Sequence, residues 1–221
     1  MSTRTFFSGE LGRLRQDILA MATRVEENIA KALTALRTCN VELAKEVRAD
    51  DSVIDTLQLK IEDDAAIIIA TQQPVARDLR EMVAIFKITS NIERVGDHAV
   101  HLARAARKLS KTGDSPFRAQ MHLEKMAEIG QAMLRAAIAA FMAHDADAAR
   151  AAAAMDHQID DEHKSLTDDI IKVIKKNPDL VKGGLQVLHT SNQLERLGDH
   201  ITNICEAIVY MIEGRHEELN E

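Results

Sequence analysis

Apolar residues recur every three or four positions along almost the whole chain, which is the spacing of helices that bury one face. The stripe of a first long helix passes through Leu11, Leu14, Ile18, Met21, Val25, Ile29, Ala32, Leu33 and Leu36. A second helix is predicted from about 40 to 71. It should stop there because the residue before a proline, here Gln73, is disfavoured in helical backbone. A third helix is predicted to follow, to about residue 110.

The rest of the chain repeats this order of helices and breaks. The segment KTGDSPF, residues 111–117, is predicted to be a connection, with Ser115 as the N-cap of the next helix. A fourth helix should reach His144, a fifth should span about 145–176 up to a second proline turn, and a sixth should end near Gly214. Six helices of about 30 residues joined by short turns predict an all-α fold with antiparallel neighbours.

Two pairs of matching segments show that one three-helix unit is present twice. DSVIDTLQLKIEDD, residues 51–64, aligns with DHQIDDEHKSLTDD, residues 156–169. ERVGDH, residues 93–98, aligns with ERLGDH, residues 195–200. A repeat of about 100 residues is typical of duplicated domains, because the units of solenoids are only about 20–50 residues long. The sequence therefore predicts two tandem three-helix bundles related by an internal repeat.

Composition narrows the functions open to the two predicted bundles, which comprise residues 1–112 and 116–221. The net charge is −7, and no run of lysine or arginine is long enough to form a patch that binds the phosphates of a nucleic acid. We therefore expect no nucleic-acid partner. No apolar run approaches the roughly 20 residues of a membrane span, and the N-terminus lacks the apolar core of a signal peptide. Because Cys39 and Cys205 are interpreted as buried thiols, we expect a cytoplasmic protein.

Acidic residues spaced four apart on helices are the main candidates for chemistry. With 35 acidic residues, roughly five such pairs would occur by chance, most of them on solvated faces. Four pairs, however, occupy equivalent positions of the two repeats: Asp51/Asp55, Glu93/Asp97, Asp156/Asp160 and Glu195/Asp199. Each unit thus carries one pair on its second helix and one on its third. Since a tight turn joins these two helices, they can bring four carboxylates together in each unit.

Because four carboxylates come together in each unit, we expect each unit to contain a metal site. Four uncompensated carboxylates repel one another, whereas a bound cation makes the same arrangement favourable. All-oxygen ligation favours magnesium, manganese, calcium or iron over a structural zinc. Gly96 and Gly198 would let a neighbouring helix or a ligand approach the backbone. The alternative is that Arg94, Arg196 and other basic residues pair with the acids and no metal binds, although an arginine directly after the glutamate should point away from it.

Four other residues near the acidic motifs could in principle bind metal: His98, His200, Asn203 and Glu206. His98 and His200 are expected to pack or to lie on the helix surface rather than to bind metal. Asn203 and Glu206 continue the face of Glu195, and additional ligation by them stays open. The chain shows no nucleophile beside a base, no glycine-rich phosphate loop and no HExxH motif, so no catalytic residue and no enzymatic activity are predicted.

Together these motifs resemble the PhoU family of bacterial phosphate-transport accessory proteins. The resemblance rests on ERVGDH and ERLGDHITNICE, on QPVARDLR after the second helix, on the paired DxxID segments and on the tandem layout. It covers essentially the whole chain. It implies two helical bundles whose acidic motifs hold metal clusters, here through Asp51, Asp55, Glu93, Asp97, Asp156, Asp160, Glu195 and Asp199. One departure is NPDLVKGG, residues 177–184, in place of the QPxAxDLR turn, so the two units need not bind metal or partners equally.

The resemblance also implies a function exerted by contact. The protein would act between the ATPase of a phosphate-importing ABC transporter and a membrane sensor histidine kinase, and would keep the kinase's response off when phosphate is sufficient. It would be cytoplasmic, peripheral to the inner face of the membrane through these partners, and a homo-oligomer such as a homodimer. Two alternatives remain: a carboxylate-bridged metalloenzyme or metal-storage bundle, for which the usual Glu-x-x-His ligands are missing, and a scaffold whose acids bind no metal.

Overall fold

The computed structural model describes residues 3–109 and 119–220, and side chains within residues 7–105 and 121–220. The described residues form α-helices and one short 3-10 turn, Pro178–Leu180, and contain no strand, so the all-α prediction is confirmed. The predicted connection at 111–117, with Ser115, lies outside these residues, and the boundary between the two bundles stays a prediction. The helices are α1 (Thr3–Thr38), α2 (Val41–Gln72), α3 (Arg77–Leu109), α4 (Ala119–Ala143), α5 (Ala146–Ala153), α6 (Asp156–Lys176) and α7 (Val181–Glu213).

Matching helix ends show the internal repeat at the level of backbone dihedrals. α1 is followed by Cys39 in the left-handed conformation, with φ of 51°, and the side chain of Asn40 then caps the start of α2. At the equivalent place of the second unit, His144 has φ of 54° and Asp145 caps α5. A left-handed residue ends a helix and reverses the chain, and a short polar side chain satisfies the free N–H groups that begin the next helix.

The second helix of the second unit is interrupted, which corrects the prediction of one helix over 145–176. α5 and α6 are separated by Ala154 and Met155, although both residues keep right-handed helical dihedrals. Here the N–H of Met155 bonds to the carbonyl of Ala152, the tighter i→i−3 pattern of a 3-10 turn. The surrounding alanine run carries no sequence signal of a break. The interruption makes Asp156 the first residue of α6.

One hydrophobic core extends through both units. The nine residues of the predicted α1 stripe are all buried in it. Within each unit, α2 packs on α3 and α6 packs on α7 as antiparallel hairpins, while α3 and α7 make the most extensive contact between helices and join the units. Because the hairpins put the second and third helices of each unit side by side, they fix the acidic motifs of those helices opposite each other.

α4 and the cysteines depart from two expectations. Met121–Ala143 is long and apolar enough to cross a membrane by length and composition, which corrects the expectation that the chain has no such segment. Half of this stretch is buried, and α4 packs against α1, α5, α6 and α7, as the inner helix of a bundle does. Cys39 is exposed at the end of α1 rather than buried, while Cys205 is buried as expected.

Candidate metal centre

The first unit brings its four predicted carboxylates together between α2 and α3. The charges of Asp55 and Asp97 act on Asp51, and those of Asp97, Asp55 and Asp51 act on Glu93. Burial, followed by this repulsion, raises the pKa of Asp51 to about 6 and also raises the pKa of Glu93. The facing arrangement that the motif spacing predicts is therefore present in this unit.

Arg94 pairs with two of these carboxylates, which corrects the expectation that it points away from the cluster. Its Nε lies 3.5 Å from Glu93 Oε2, and its Nη1 lies 3.1 Å from Asp97 Oδ2. The long side chain of Arg94 thus reaches carboxylates both one residue before it and three residues after it. Since Arg94 is 56% exposed, each pair is worth roughly 0–1 kcal/mol. A bound cation could displace so weak a partner.

The second unit repeats the cluster, with one of its acids, Asp156, buried more deeply than its counterpart Asp51. The charges of Asp160, Asp199 and Glu195 all act on Asp156. Burial, and then this repulsion, raises the pKa of Asp156 to about 7, against which a hydrogen bond from Asn220 acts in the opposite direction. Burial and neighbouring carboxylates also raise the pKa values of Asp160 and Glu195. The structure thus brings together all eight predicted residues as two groups of four.

Asp156 is the most deeply buried of the eight acids. It is 3% exposed, and its Oδ1 has no hydrogen-bond partner among the described residues. The carboxylate lies against Gly198, where an ideal Cβ would fall 2.0 Å from Oδ1. Around Gly96, the equivalent glycine, the nearest atom to an ideal Cβ is Ile54 Cδ1 at 3.5 Å. Gly198 therefore makes room for a buried carboxylate, which is unfavourable unless a partner such as an ion satisfies it.

The donor chemistry of both clusters fits a hard cation. Both clusters consist of carboxylate oxygens, the ligands that magnesium, manganese, calcium and iron accept. The unpartnered Asp156 Oδ1 supplies an acceptor that lacks a donor. Over residues 7–105 and 121–220, no three His, Cys, Asp or Glu side chains are already arranged to hold an ion. Because metal-free carboxylates repel, we expect ligation to need side-chain rotation on helices that are already in place.

The segment that follows α7 also reaches the second cluster, a contact that the sequence does not predict. Asn220 Nδ2 donates to Asp199 Oδ1 at 2.9 Å, and the backbone N–H of Leu219 donates to Glu206 Oε1 at 2.9 Å. Glu206, left open as an extra ligand, is therefore engaged with the backbone, and Asn203 is exposed. The polar sequence GRHEELN has no periodicity, so nothing in it predicts this contact.

The two histidines of the motifs pack between the units. His98 on α3 stacks on His200 of α7, with ring centroids 5.4 Å apart. His98 Nδ1 lies 3.1 Å from Gln193 Oε1, and His200 Nδ1 lies 3.0 Å from Asn91 Oδ1. Burial lowers the pKa of His98 to about 4 and lowers the pKa of His200, so both rings are neutral near pH 7. Gln193 and Asn91 are equivalent positions of the repeat, so this contact is pseudo-symmetric.

These features define a class of all-helical proteins in which one carboxylate-bearing three-helix unit occurs twice. A family model described as "PhoU domain" matches residues 18–106 and 123–208, which is most of both units. The chain therefore belongs to the PhoU family.

Curated relatives cover nearly the whole chain. It is 35% identical over 208 residues to the "Phosphate-specific transport system accessory protein PhoU homolog" of Pseudomonas putida, covering 94% of this chain and 81% of that protein. It is 35% identical over 217 residues to the homolog of the same name from Streptococcus pneumoniae serotype 4, covering 98% of this chain and 100% of that one. These names describe accessory proteins rather than enzymes, so the prediction of no enzymatic activity is confirmed.

Solved structures share the fold. The crystal structure of PhoU from Pseudomonas aeruginosa has a TM-score of 0.89 at 33% identity and covers 95% of this chain and 100% of that one. The phosphate transport system regulatory protein PhoU from Streptococcus pneumoniae has a TM-score of 0.87 at 33% identity, covering 96% and 99%. Both units and their mutual packing are thus features shared with PhoU proteins.

Proposed function

We propose that this protein is an accessory and regulatory protein of phosphate transport. The observation that carries the proposal is the full-length match to proteins of that name, in sequence and in three dimensions. One printed name refers to a phosphate-specific transport system, and another to regulation of such a system. Because a match of this extent includes both units and their join, the proposal concerns the whole chain rather than one shared module.

We further propose that the protein acts as a negative regulator by binding its partners directly. The protein binds the ATPase of a phosphate ABC transporter and a sensor histidine kinase, and keeps phosphate-starvation genes off while phosphate is plentiful. Its long polar helix faces and net charge of −7 favour docking to basic cytoplasmic surfaces, with charge speeding the encounter more than it tightens the complex. It reaches the membrane through these partners and acts as a homo-oligomer, for which a homodimer is the proposed form.

The carboxylate clusters are proposed to hold a metal ion in each unit. Asp51, Asp55, Glu93 and Asp97 would bind it in the first unit, and Asp156, Asp160, Glu195 and Asp199 in the second. A magnesium, manganese or iron ion would supply the positive charge that these acids lack and would cross-link the second and third helices of its unit. The ion thereby stabilises the shape that partners recognise. Support comes from the raised pKa values of Asp51 and Asp156 and from the unpartnered Asp156 Oδ1.

Gene deletion combined with affinity capture tests the regulatory role. Deleting the gene in its native host should leave phosphate-starvation genes expressed in phosphate-rich medium, and the wild-type gene should restore repression. The purified protein should capture the transporter ATPase and the kinase from host membranes solubilised in detergent. Repression that persists after deletion, together with no binding to either partner, would contradict the regulatory role while leaving the fold intact.

The metalloenzyme alternative has less support. The clusters resemble carboxylate metal sites, but Glu-x-x-His ligands are missing from the motifs, and His98 and His200 are engaged at the join between the units. The family consists of accessory proteins. Oxygen consumption in the presence of ferrous iron, above that of the variant Glu195→Gln/Asp199→Asn, would reverse this judgement.

A further inference from the structure

We propose that the capping segment, Gly214–Asn220, closes the second carboxylate cluster, and that a cation binds there only when the segment moves away. The inference rests on the proposed metal binding and concerns how access to one of the two sites is controlled. It makes the two clusters unequal: the second is covered by the protein's own chain, and its occupancy reports whether that cover is in place.

The capping segment places a hydrogen-bond donor on Asp199, one of the proposed ligands, and a second donor on Glu206, one turn further along the same face of α7. Asn220 Nδ2 donates to Asp199 Oδ1, and the N–H of Leu219 donates to Glu206 Oε1, each at 2.9 Å. Beneath them, Asp156 is 3% exposed and its Oδ1 has no partner among the described residues. A neutral amide satisfies single oxygens and leaves the charge of the group uncompensated. The segment is therefore a weak substitute for an ion that competes for the same atoms.

The capping segment is attached by ion pairs, by a ring stack and by the side chain of Leu219, which packs against the edge of the hydrophobic core. Gly214 has φ of +76° and turns the chain back along α7. Arg150 Nη2 lies 2.9 Å from Glu213 Oε2, at the end of α7, and 2.8 Å from Glu217 Oε2. The ring of His216 stacks on Tyr210 with centroids 4.4 Å apart. The Arg150 and Glu217 side chains are 25% and 31% exposed, so solvent screens this ion pair in part. Between the segment, α3 and α7, an open polar cavity of about 810 Å³ lets solvent reach His216 and Glu217.

The first cluster is compensated in another way. Asp97, the equivalent of Asp199, pairs with Arg94 of its own helix at 3.1 Å. Removing the capping segment should therefore change metal binding in the second unit and leave the first unit unchanged. This difference supplies an internal control.

Titration calorimetry with manganese in single-site variants tests the proposal. In Glu93→Gln/Asp97→Asn, only the second cluster keeps all four acids. Deleting residues 215–221 from this variant should raise its manganese affinity about tenfold, since the ion no longer has to displace the segment's hydrogen bonds. Asn220→Ala, which keeps the segment, should give part of that gain. In Glu195→Gln/Asp199→Asn, which keeps only the first cluster, the same deletion should have no effect.

Limited trypsin digestion gives a second measurement that is independent of affinity. Arg215 lies in the segment and its side chain is 68% exposed. Manganese should speed cleavage after Arg215 in Glu93→Gln/Asp97→Asn and leave the rate unchanged in Glu195→Gln/Asp199→Asn. Equal manganese affinity with and without the segment overturns the inference alone. Lower affinity after the deletion also overturns it, because the segment would then contribute ligands. No manganese binding in any variant removes the proposed metal sites as well.

Discussion

The Asp156 carboxylate fills the space that a side chain at Gly198 would occupy, since an ideal Cβ there would lie 2.0 Å from Asp156 Oδ1. This contact gives a physical reason for a glycine inside a long helix, where it is less favourable than alanine by about 1 kcal/mol. The glycine of ERLGDH admits a buried carboxylate from the neighbouring helix, and thereby shapes the second cluster.

The first prediction compares the two motif glycines. Gly198→Ala should fold, because the gain in helix propensity offsets the steric contact, but Asp156 must swing away. Manganese affinity of the second unit should fall tenfold or more, and the pKa of Asp156, measured by carboxyl NMR, should decrease. Gly96→Ala is the matched control, because its Cβ meets only ordinary contacts, the nearest at 3.5 Å. Equal effects of the two substitutions on their own units would contradict this role of Gly198.

The second prediction concerns the pH dependence of stability in the metal-free protein. The pKa of Asp156 is about 7 in the folded chain, against an ordinary value of 3.8. Between these values the folded chain binds more protons than the unfolded chain, so stability falls as pH rises through this window. The loss of stability caused by the charge of Asp156 is absent below about pH 3.8 and complete above about pH 7.

Asp156→Asn removes that penalty. It should raise the melting temperature at pH 8 by about 2–4 °C for each kcal/mol recovered, with little change at pH 4. Asp161→Asn, an exposed carboxylate on the same helix, is the control and should change stability by less than about 0.5 kcal/mol at either pH. Thermal unfolding followed by circular dichroism in a chelating buffer measures both. A melting temperature of Asp156→Asn that is unchanged at pH 8 would refute the raised pKa.

The third prediction concerns the pseudo-symmetric histidine pair that joins the units. Gln193→Leu leaves the buried Nδ1 of His98 without its partner, which should lower the free energy of unfolding by about 1–3 kcal/mol. Asn91→Leu, at the equivalent position, should cost less, because the partially exposed His200 can bond to water instead. Urea denaturation at pH 7.5 gives both values. A larger loss in Asn91→Leu would show that burial does not set the strength of these contacts.

The fourth prediction concerns Arg94. Because its weak pairs with Glu93 and Asp97 must break before an ion binds, Arg94→Ala should raise manganese affinity in the first unit by roughly twofold to fivefold. The affinity of the second unit, measured in Glu93→Gln/Asp97→Asn, serves as the reference and should not change. A loss of affinity in the first unit would mean that Arg94 holds the acids in position rather than competing with the ion.

The sequence predicted those parts of the molecule that depend on periodic patterns. The apolar stripe of α1 predicted the buried face of that helix. The two ERxGD motifs predicted the internal repeat and the carboxylates that face each other. Prediction failed where tertiary contact or side-chain reach decides the outcome. The break at Ala154 lies in an alanine run without a signal, and Arg94 reaches its partners because its side chain is long. Asn220 meets Asp199 only because Gly214 reverses the chain.

Metal content measured by mass spectrometry on purified protein tests the central claim most directly. Wild-type protein loaded with manganese and then desalted should retain metal in both units. Glu93→Gln/Asp97→Asn should lose the metal bound by the first unit, and Glu195→Gln/Asp199→Asn should lose the metal bound by the second. The variant with all four substitutions should retain no metal. Circular dichroism should show unchanged helix content in every variant. Metal content that stays at the wild-type level when all four acids are replaced would contradict the account.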